Sequence, residues 1–250
     1  MTLEPWQWVL AVVAALVIGL AKTGISGMGL LAVVIFANLL PARQASGFVL
    51  PMLVFADVVA VASYRRHAQW SYLWKLFPWT ALGVVLGYFT LGRIDDRQAK
   101  VLIGGIVLTL LAVHLGRRVR PAAEDGVDHG WWYAPLFGVL AGFTTLVANA
   151  AGPLMVIYLL SMRLPKMEYM GTGAYYFLLI NLFKVPFMMN LGLIDAHSFR
   201  ANLLLLPAVI VGALAGRIIL KRINQKLFEN LALGLSAAAG LHLLYESWRE

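Results

Sequence analysis

Three ionisable residues lie deep inside apolar runs of this chain: Lys22 in GLAKTGISGMGL, Asp57 in LPMLVFADVVAVASY and Lys184 in FLLINLFKVPFMM. A charge at membrane depth costs at least ~2.5 kcal/mol on insertion scales and is by default the mark of a functional site. Snorkelling to the interface suits Lys184 poorly, about thirteen residues into its apolar segment, and suits Asp57 worse because its side chain is short. The plainer reading is an internal Asp–Lys ion pair that only holds helices together. Asn181 stands three residues before Lys184 and so shares its helix face.

Two glycine- and hydroxyl-bearing stretches supply the rest of the chemistry. Gly19 to Leu30 reads GLAKTGISGMGL and holds Lys22, Thr23, Ser26 and Gly27; Gly142 to Pro153 reads GFTTLVANAAGP and holds Thr144, Thr145, Asn149 and Gly152. Glycine weakens a helix by roughly 1 kcal/mol relative to alanine. Backbone freed at membrane depth survives only inside protein or beside a water-filled cavity. Each stretch is therefore expected to break a helix and line a cavity. Helices restarting near Gly27–Met28 and Gly152–Pro153 would present free N–H groups and a positive dipole end. Asn149 is expected to be an N-cap, with Pro153 in the first turn of its helix.

Two helix N-termini, Lys22, Lys184 and the hydroxyls of Thr23, Ser26, Thr144 and Thr145 describe an oxyanion site. A cation site would want several carboxylates, and of the buried positions only Asp57 carries one. The expected substrate-binding set is Lys22, Thr23, Ser26, Gly27, Asp57, Thr144, Thr145, Asn149, Gly152, Asn181 and Lys184. Fully ionised, two lysines and one aspartate leave the empty site positive, so a monoanion would neutralise it. A dianion would bring a proton, and Asp57 is the residue expected to take it. No catalytic residue, metal or cofactor is expected.

The elements that must position these residues are apolar segments at Trp6–Leu40 (broken), Gly47–Tyr64, Tyr72–Leu91, Ala99–Leu115, Trp131–Met162 (broken), Gly171–Asn190, Ala201–Leu220 and Leu227–Trp248. The polar stretch GRRVRPAAEDGVDHG divides them into a first repeat, 1–116, a linker, 117–130, and a second repeat, 131–250. Gly83-Val84-Val85-Leu86-Gly87 matches Gly212-Ala213-Leu214-Ala215-Gly216, with Pro78 on Pro207 and Arg93 on Arg222. Nearer each start, Pro41 falls on Pro165 and Asp57 on Asn181, and the breaks align with Gly19 on Gly142 and Ser26 on Asn149. Duplicated breaks in corresponding places point to a transporter's binding site.

Helices over Trp6–Ala21 and Met28–Leu40 would be about 24 and 20 Å long at 1.5 Å per residue, short of a hydrocarbon core of roughly 30 Å. Read as re-entrant hairpins, they leave three full crossings per half, and an odd number inverts the repeats. One side then receives Arg65, Arg66, Lys75, Arg117, Arg118, Arg120, Arg163, Lys166, Lys221, Arg222 and Lys226. The other receives Arg43, Arg93, Arg97, Lys100, Arg200 and Arg249, a bias that favours hairpins with both termini outside the cytoplasm. The expected fold is an all-α polytopic membrane protein of two inverted four-segment repeats, each opening with a broken or re-entrant helix pair.

Composition narrows the alternatives. Of 250 residues, 61% are hydrophobic and 13% charged, so the net charge of +8 orients loops rather than binding nucleic acid. The absence of cysteine excludes disulfides, thiolate metal sites and a cysteine nucleophile. Met1 to Trp6 lacks the basic start of a cleaved signal, so the first segment is expected to be kept. An integral membrane enzyme would need paired carboxylates or a histidine site, and Asp95-Asp96, an adjacent acidic pair beside the apolar segments, reads as a solvated helix start. A passive channel would not need buried charge matched to helix breaks. The expected partners are a small anion and the lipid bilayer, and a homodimer is compatible with the sequence.

The early glycine-rich break, its second copy after a central linker and eight apolar segments in two halves resemble the TauE/SafE sulfite-exporter family, also called the toluene sulfonate uptake permease superfamily. Family members carry a run such as G-x-x-G-x-G-G-G in both breaks; GLAKTGISGMG keeps that character, whereas GFTTLVANAAGP keeps two glycines. The resemblance covers essentially the whole chain. It implies an inner-membrane carrier of sulfite, thiosulfate, organosulfonates or other small organic anions, often an exporter. The residues by themselves specify a small anion.

Overall fold

A computed structural model describes residues 4–40, 42–91, 93, 95–119, 130–194 and 196–249. Its regular elements are all helical: α1 (Pro5–Thr23), α2 (Gly29–Leu39), α3 (Ala42–Tyr64), α4 (Trp70–Thr90), α5 (Asp96–Val119), α6 (Tyr133–Ala148), α7 (Ala151–Ser161), α8 (Lys166–Asn190), α9 (Ala196–Arg222) and α10 (Gln225–Arg249). A 3-10 turn, Arg65–His67, joins α3 to α4. Five helical stretches are long and apolar enough to cross a membrane: Pro5–Thr23, Gln44–His67, Arg97–Gly116, Ser198–Arg222 and Gln225–Trp248.

Local signals explain the starts of α1, α5 and α10. Glu4 and Gln7 form a capping box ahead of α1, with Pro5 in the first turn. Asp95 and Gln98 cap α5 the same way, the Gln98 N–H donating to Asp95 Oδ1 at 2.6 Å. The Leu227 N–H donates to Asn224 Oδ1 at 2.8 Å at the start of α10. Asp95 is therefore an exposed residue at a helix start, where the sequence led it to be expected.

Both expected breaks are present, with two revisions. Helix α1 continues to Thr23, so its 19 residues reach about 28 Å. The first arm is thus longer than the expected length of about 24 Å and comes close to the roughly 30 Å of a hydrocarbon core, while α2 and α7, 11 residues each, and α6, 16 residues, are clearly short. Asn149 is not an N-cap. It sits in the left-handed region (φ 51°, ψ 29°) as the C-cap of α6, donating its N–H to Thr145 O, and Ala150 precedes α7 instead. Asparagine tolerates that conformation better than most residues, which lets the chain turn without a glycine.

Glycines set how the halves interlock. A Cβ on Gly19 would lie 2.0 Å from Val209 O, and one on Gly212 2.0 Å from Leu16 O, so α1 and α9 run parallel in backbone contact. The same contact recurs between α6 and α4, where a Cβ on Gly142 would lie 2.0 Å from Thr80 O and one on Gly83 2.2 Å from Val139 O. Small residues admit this approach, which dispersion then stabilises. Each half thus lends a helix to the other, and α5 packs on α10.

Helices α3 and α8 cross at the centre and run antiparallel. Gly47, near the start of α3, abuts Leu193 just past α8; Gly171, near the start of α8, abuts Tyr64 and His67 at the end of α3. The turn after α3, the turn before α8 and the turn after α9 lie at one end of the molecule. There Gln69 donates to Glu168, and the Lys166 ammonium donates to Leu220 O and Ile223 O. Arg65, Arg66, Arg163, Lys221 and Arg222 share that end.

Candidate functional site

The cluster forms where the last turns of α1 and α6 meet the middle of α3 and α8. Lys22 Nζ lies 2.6 Å from Asp57 Oδ1. Asn181 donates through Nδ2 to Asp57 Oδ2 at 2.6 Å. Asn181 Oδ1 in turn accepts from the Lys184 ammonium at 3.4 Å. Lys184 completes its donors with Asn149 Oδ1 at 2.6 Å and Thr145 Oγ1 at 3.1 Å. One polar chain thus runs Lys22–Asp57–Asn181–Lys184–Asn149/Thr145 through an otherwise apolar interior.

Burial sharpens the electrostatics. Asp57 and Lys184 are 0% exposed and Asn181 1%, while the Lys22 side chain keeps 14% of its surface. The two lysines differ in kind. Lys22 has a carboxylate against it; Lys184 holds three neutral oxygens, and among the described residues no acidic side chain forms an ion pair with it. The Asp57 carboxylate acts on Lys184 only across Asn181 and is shared with Lys22, so the buried ammonium is under-compensated and expensive. Part of that cost is offset because Lys184 lies at the C-terminal, negative end of α6, as Lys22 does at that of α1. The N-termini of α2 and α7 have no side-chain caps, although in α2 the Leu31 N–H turns back to Met28 O; helix-start N–H groups without an intrahelical partner can bind an anion.

Six of the expected site residues come together in this cluster: Lys22, Asp57, Thr145, Asn149, Asn181 and Lys184. The others have no hydrogen bond to it among those described. Thr23 is buried with its hydroxyl donating to Ala213 O at 2.6 Å and Gly19 O at 3.1 Å, locking α1 to α9. Thr144 donates to Ala141 O at 3.3 Å within its own helix. Ser26 meets the Tyr169 hydroxyl at 2.8 Å. Gly27 turns the chain at φ 99° against Ala232 and Leu235 of α10. Gly152, in the first turn of α7, faces open space, with nothing within 4 Å of where a Cβ would stand.

The structure also brings in residues that the sequence reading did not single out. Phe177 lies under the Lys22 ammonium, 3.9 Å from its ring centre, a cation–π contact. Its position four before Asn181 on the same helix face was the available signal. Ser46 accepts from Asn149 Nδ2 at 2.9 Å through its carbonyl and 3.2 Å through its hydroxyl. Nothing in the local sequence marks that serine, because its partner is 103 residues away.

Comparison with known proteins places the whole chain rather than the site. A family model described as "Sulfite exporter TauE/SafE" matches residues 11–243. The chain is 26% identical over 208 residues to the "Probable inner membrane transporter protein TsaS" of Comamonas testosteroni, covering 82% of this chain and 85% of that one. No solved structure matches.

Proposed function

The chain belongs to the sulfite exporter TauE/SafE family, and from that premise we propose that it is a multi-pass inner-membrane carrier that exports a small sulfur oxyanion by alternating access. Sulfite, thiosulfate and organosulfonates form the substrate class. Membership of the family supports a sulfur oxyanion, and the name of the Comamonas testosteroni relative supports the inner membrane. The observation that carries an anion site is Lys184, a fully buried ammonium held only by neutral oxygens. An anion supplies the missing counter-charge and exchanges with Asn149 and Asn181 for the ammonium protons. Thr145 remains beside it as a hydroxyl donor, and the uncapped N–H groups around Gly152 add the positive end of α7.

Lys22 is held in reserve by Asp57. When a proton neutralises Asp57, Lys22 is released to meet a second negative charge, which couples dianion transport to a proton. The antiparallel crossing of α3 and α8 supports two inverted halves that rock about this point. The test is thermal unfolding of the detergent-purified protein with sulfite, sulfate, thiosulfate, taurine, sulfoacetate, acetate and phosphate at fixed pH and ionic strength. Ligand at a hundred times its dissociation constant adds about 2.7 kcal/mol. Selective stabilisation by a sulfur oxyanion, lost in Lys184→Ala, is expected. Stabilisation by acetate alone would replace the substrate class, and a flat panel would make the cluster a structural ion network.

A further inference from the structure

The carrier reading requires a barrier on each side of the site, and this inference rests on that reading. Two hydrogen bonds meet the geometric requirement. Ser26, at the first break, bonds the Tyr169 hydroxyl in the first turn of α8 at 2.8 Å. Asn149, at the second break, bonds Ser46 in the first turns of α3. Ser26 and Asn149 are counterparts in the aligned breaks, and Tyr169 lies within one residue of the counterpart of Ser46. Each half therefore ties its own break to the start of the other half's central helix.

Their placement is what makes them barriers. Helices α3 and α8 are antiparallel and cross at Asp57 and Asn181. Ser46 is eleven residues before Asp57, and Tyr169 twelve before Asn181. At 1.5 Å per residue, the two ties start about 17 Å from the crossing, in opposite directions. Both are made in this structure, in which Asp57, Asn181 and Lys184 are sealed from solvent.

We propose that Ser26–Tyr169 and Asn149–Ser46 are the two gates of the carrier, and that Asn149 is a positioning residue through which site occupancy reaches one of them. The asymmetry lies in the Asn149 carboxamide. Its Oδ1 accepts from Lys184 while its Nδ2 donates to Ser46. An anion that takes over the Lys184 ammonium frees that oxygen and loosens the hold on Ser46. The Ser26–Tyr169 gate has no bond to the site, and opens by parting of the helices alone.

The chain has no cysteine of its own, so paired cysteines can be placed without background. In Ser26→Cys/Tyr169→Cys and, separately, Ser46→Cys/Ala150→Cys, which keeps Asn149 on Lys184, the thiols are bridged by a short bis-methanethiosulfonate that a reductant removes. Fluxes of taurine and sulfoacetate, sulfonates that leave disulfides intact where sulfite would cleave them, are measured in proteoliposomes before bridging, after it and after reduction of the same sample. At least a tenfold loss on bridging either pair, reversed by reduction, is expected. Flux through a bridged protein equal to its reduced rate would overturn the gate. Hydrogen exchange separates this from failure of the substrate reading, since it needs no flux. Tyr169→Phe should raise exchange across residues 24–29 and leave 149–153 unchanged, and sulfite should raise exchange at 149–153 in the parent. Unchanged exchange at both places overturns the proposal whether or not either anion is carried.

Discussion

Two lysines of one site have opposite dependence on their neighbours. Lys184 has no carboxylate against it, so Lys184→Met should keep or raise the melting temperature while abolishing anion-dependent stabilisation; a lower melting temperature with stabilisation retained would contradict the site. Lys22 and Asp57 are the reverse case. Removing one partner of a buried pair costs roughly 3–5 kcal/mol, so Lys22→Met should lower the melting temperature of the empty protein, read by the same thermal scan. Asp57→Asn keeps the shape but cannot carry the proton. Its transport rate should lose the pH dependence of the parent, and a mutant that reproduces the parent's pH profile would remove Asp57 from coupling.

The glycines divide sharply at the scale of the helix. Gly19 and Gly142 face carbonyl oxygens that a Cβ would approach to 2.0 Å, whereas a Cβ on Gly152 meets nothing. Overpacking a tight contact costs typically 1–3 kcal/mol, and here the obstacle is backbone that no rotamer change relieves. Gly19→Ala and Gly142→Ala are therefore expected to lower the yield and melting temperature of purified protein. Gly152→Ala should fold like the parent, and the side chain it adds at the mouth of α7 should weaken anion binding. Equal folding of all three would mean that the helices separate easily. The repeated motif of small residues was legible in the sequence, but its partners were not: Gly83 and Gly87 face α6 of the other half rather than a neighbour in their own.

In the whole molecule, α1 lies on α9, α6 on α4, α3 on α8 and α5 on α10, so the main helix contacts cross between the halves, and Leu205 and Val209 of α9 close even the cluster that α1, α2 and α3 form around Phe36 and Phe48. Each half expressed alone should be degraded. Chains cut within residues 117–130 and co-expressed should co-purify through a tag on one of them and show the anion-dependent melting of the intact protein. Recovery of a stable single half would contradict the interlocked arrangement. The basic turns gathered at one end are the tertiary counterpart of the charge bias along the chain, since Arg65, Arg163 and Lys221 are distant in sequence but end neighbouring elements.

Hydropathy, the duplicated breaks and the charges at Lys22, Asp57 and Lys184 are properties of the chain itself, and they determined a helical membrane protein with buried ionisable residues gathered between its helices. They did so because burying a charge or breaking a helix in hydrocarbon is costly enough to leave a signal in any one segment. What the hydroxyls do was decided only by the fold. Thr23 and Thr145 occupy neighbouring columns of the aligned breaks, yet one locks α1 to α9 and the other faces Lys184. Which lysine is neutralised, and which serine closes the second break, depends on contacts between residues 35 and 103 positions apart. A side chain that reaches a partner at that separation leaves no period or motif behind, because its choice of partner is made by how helices pack and not by the order of residues along them.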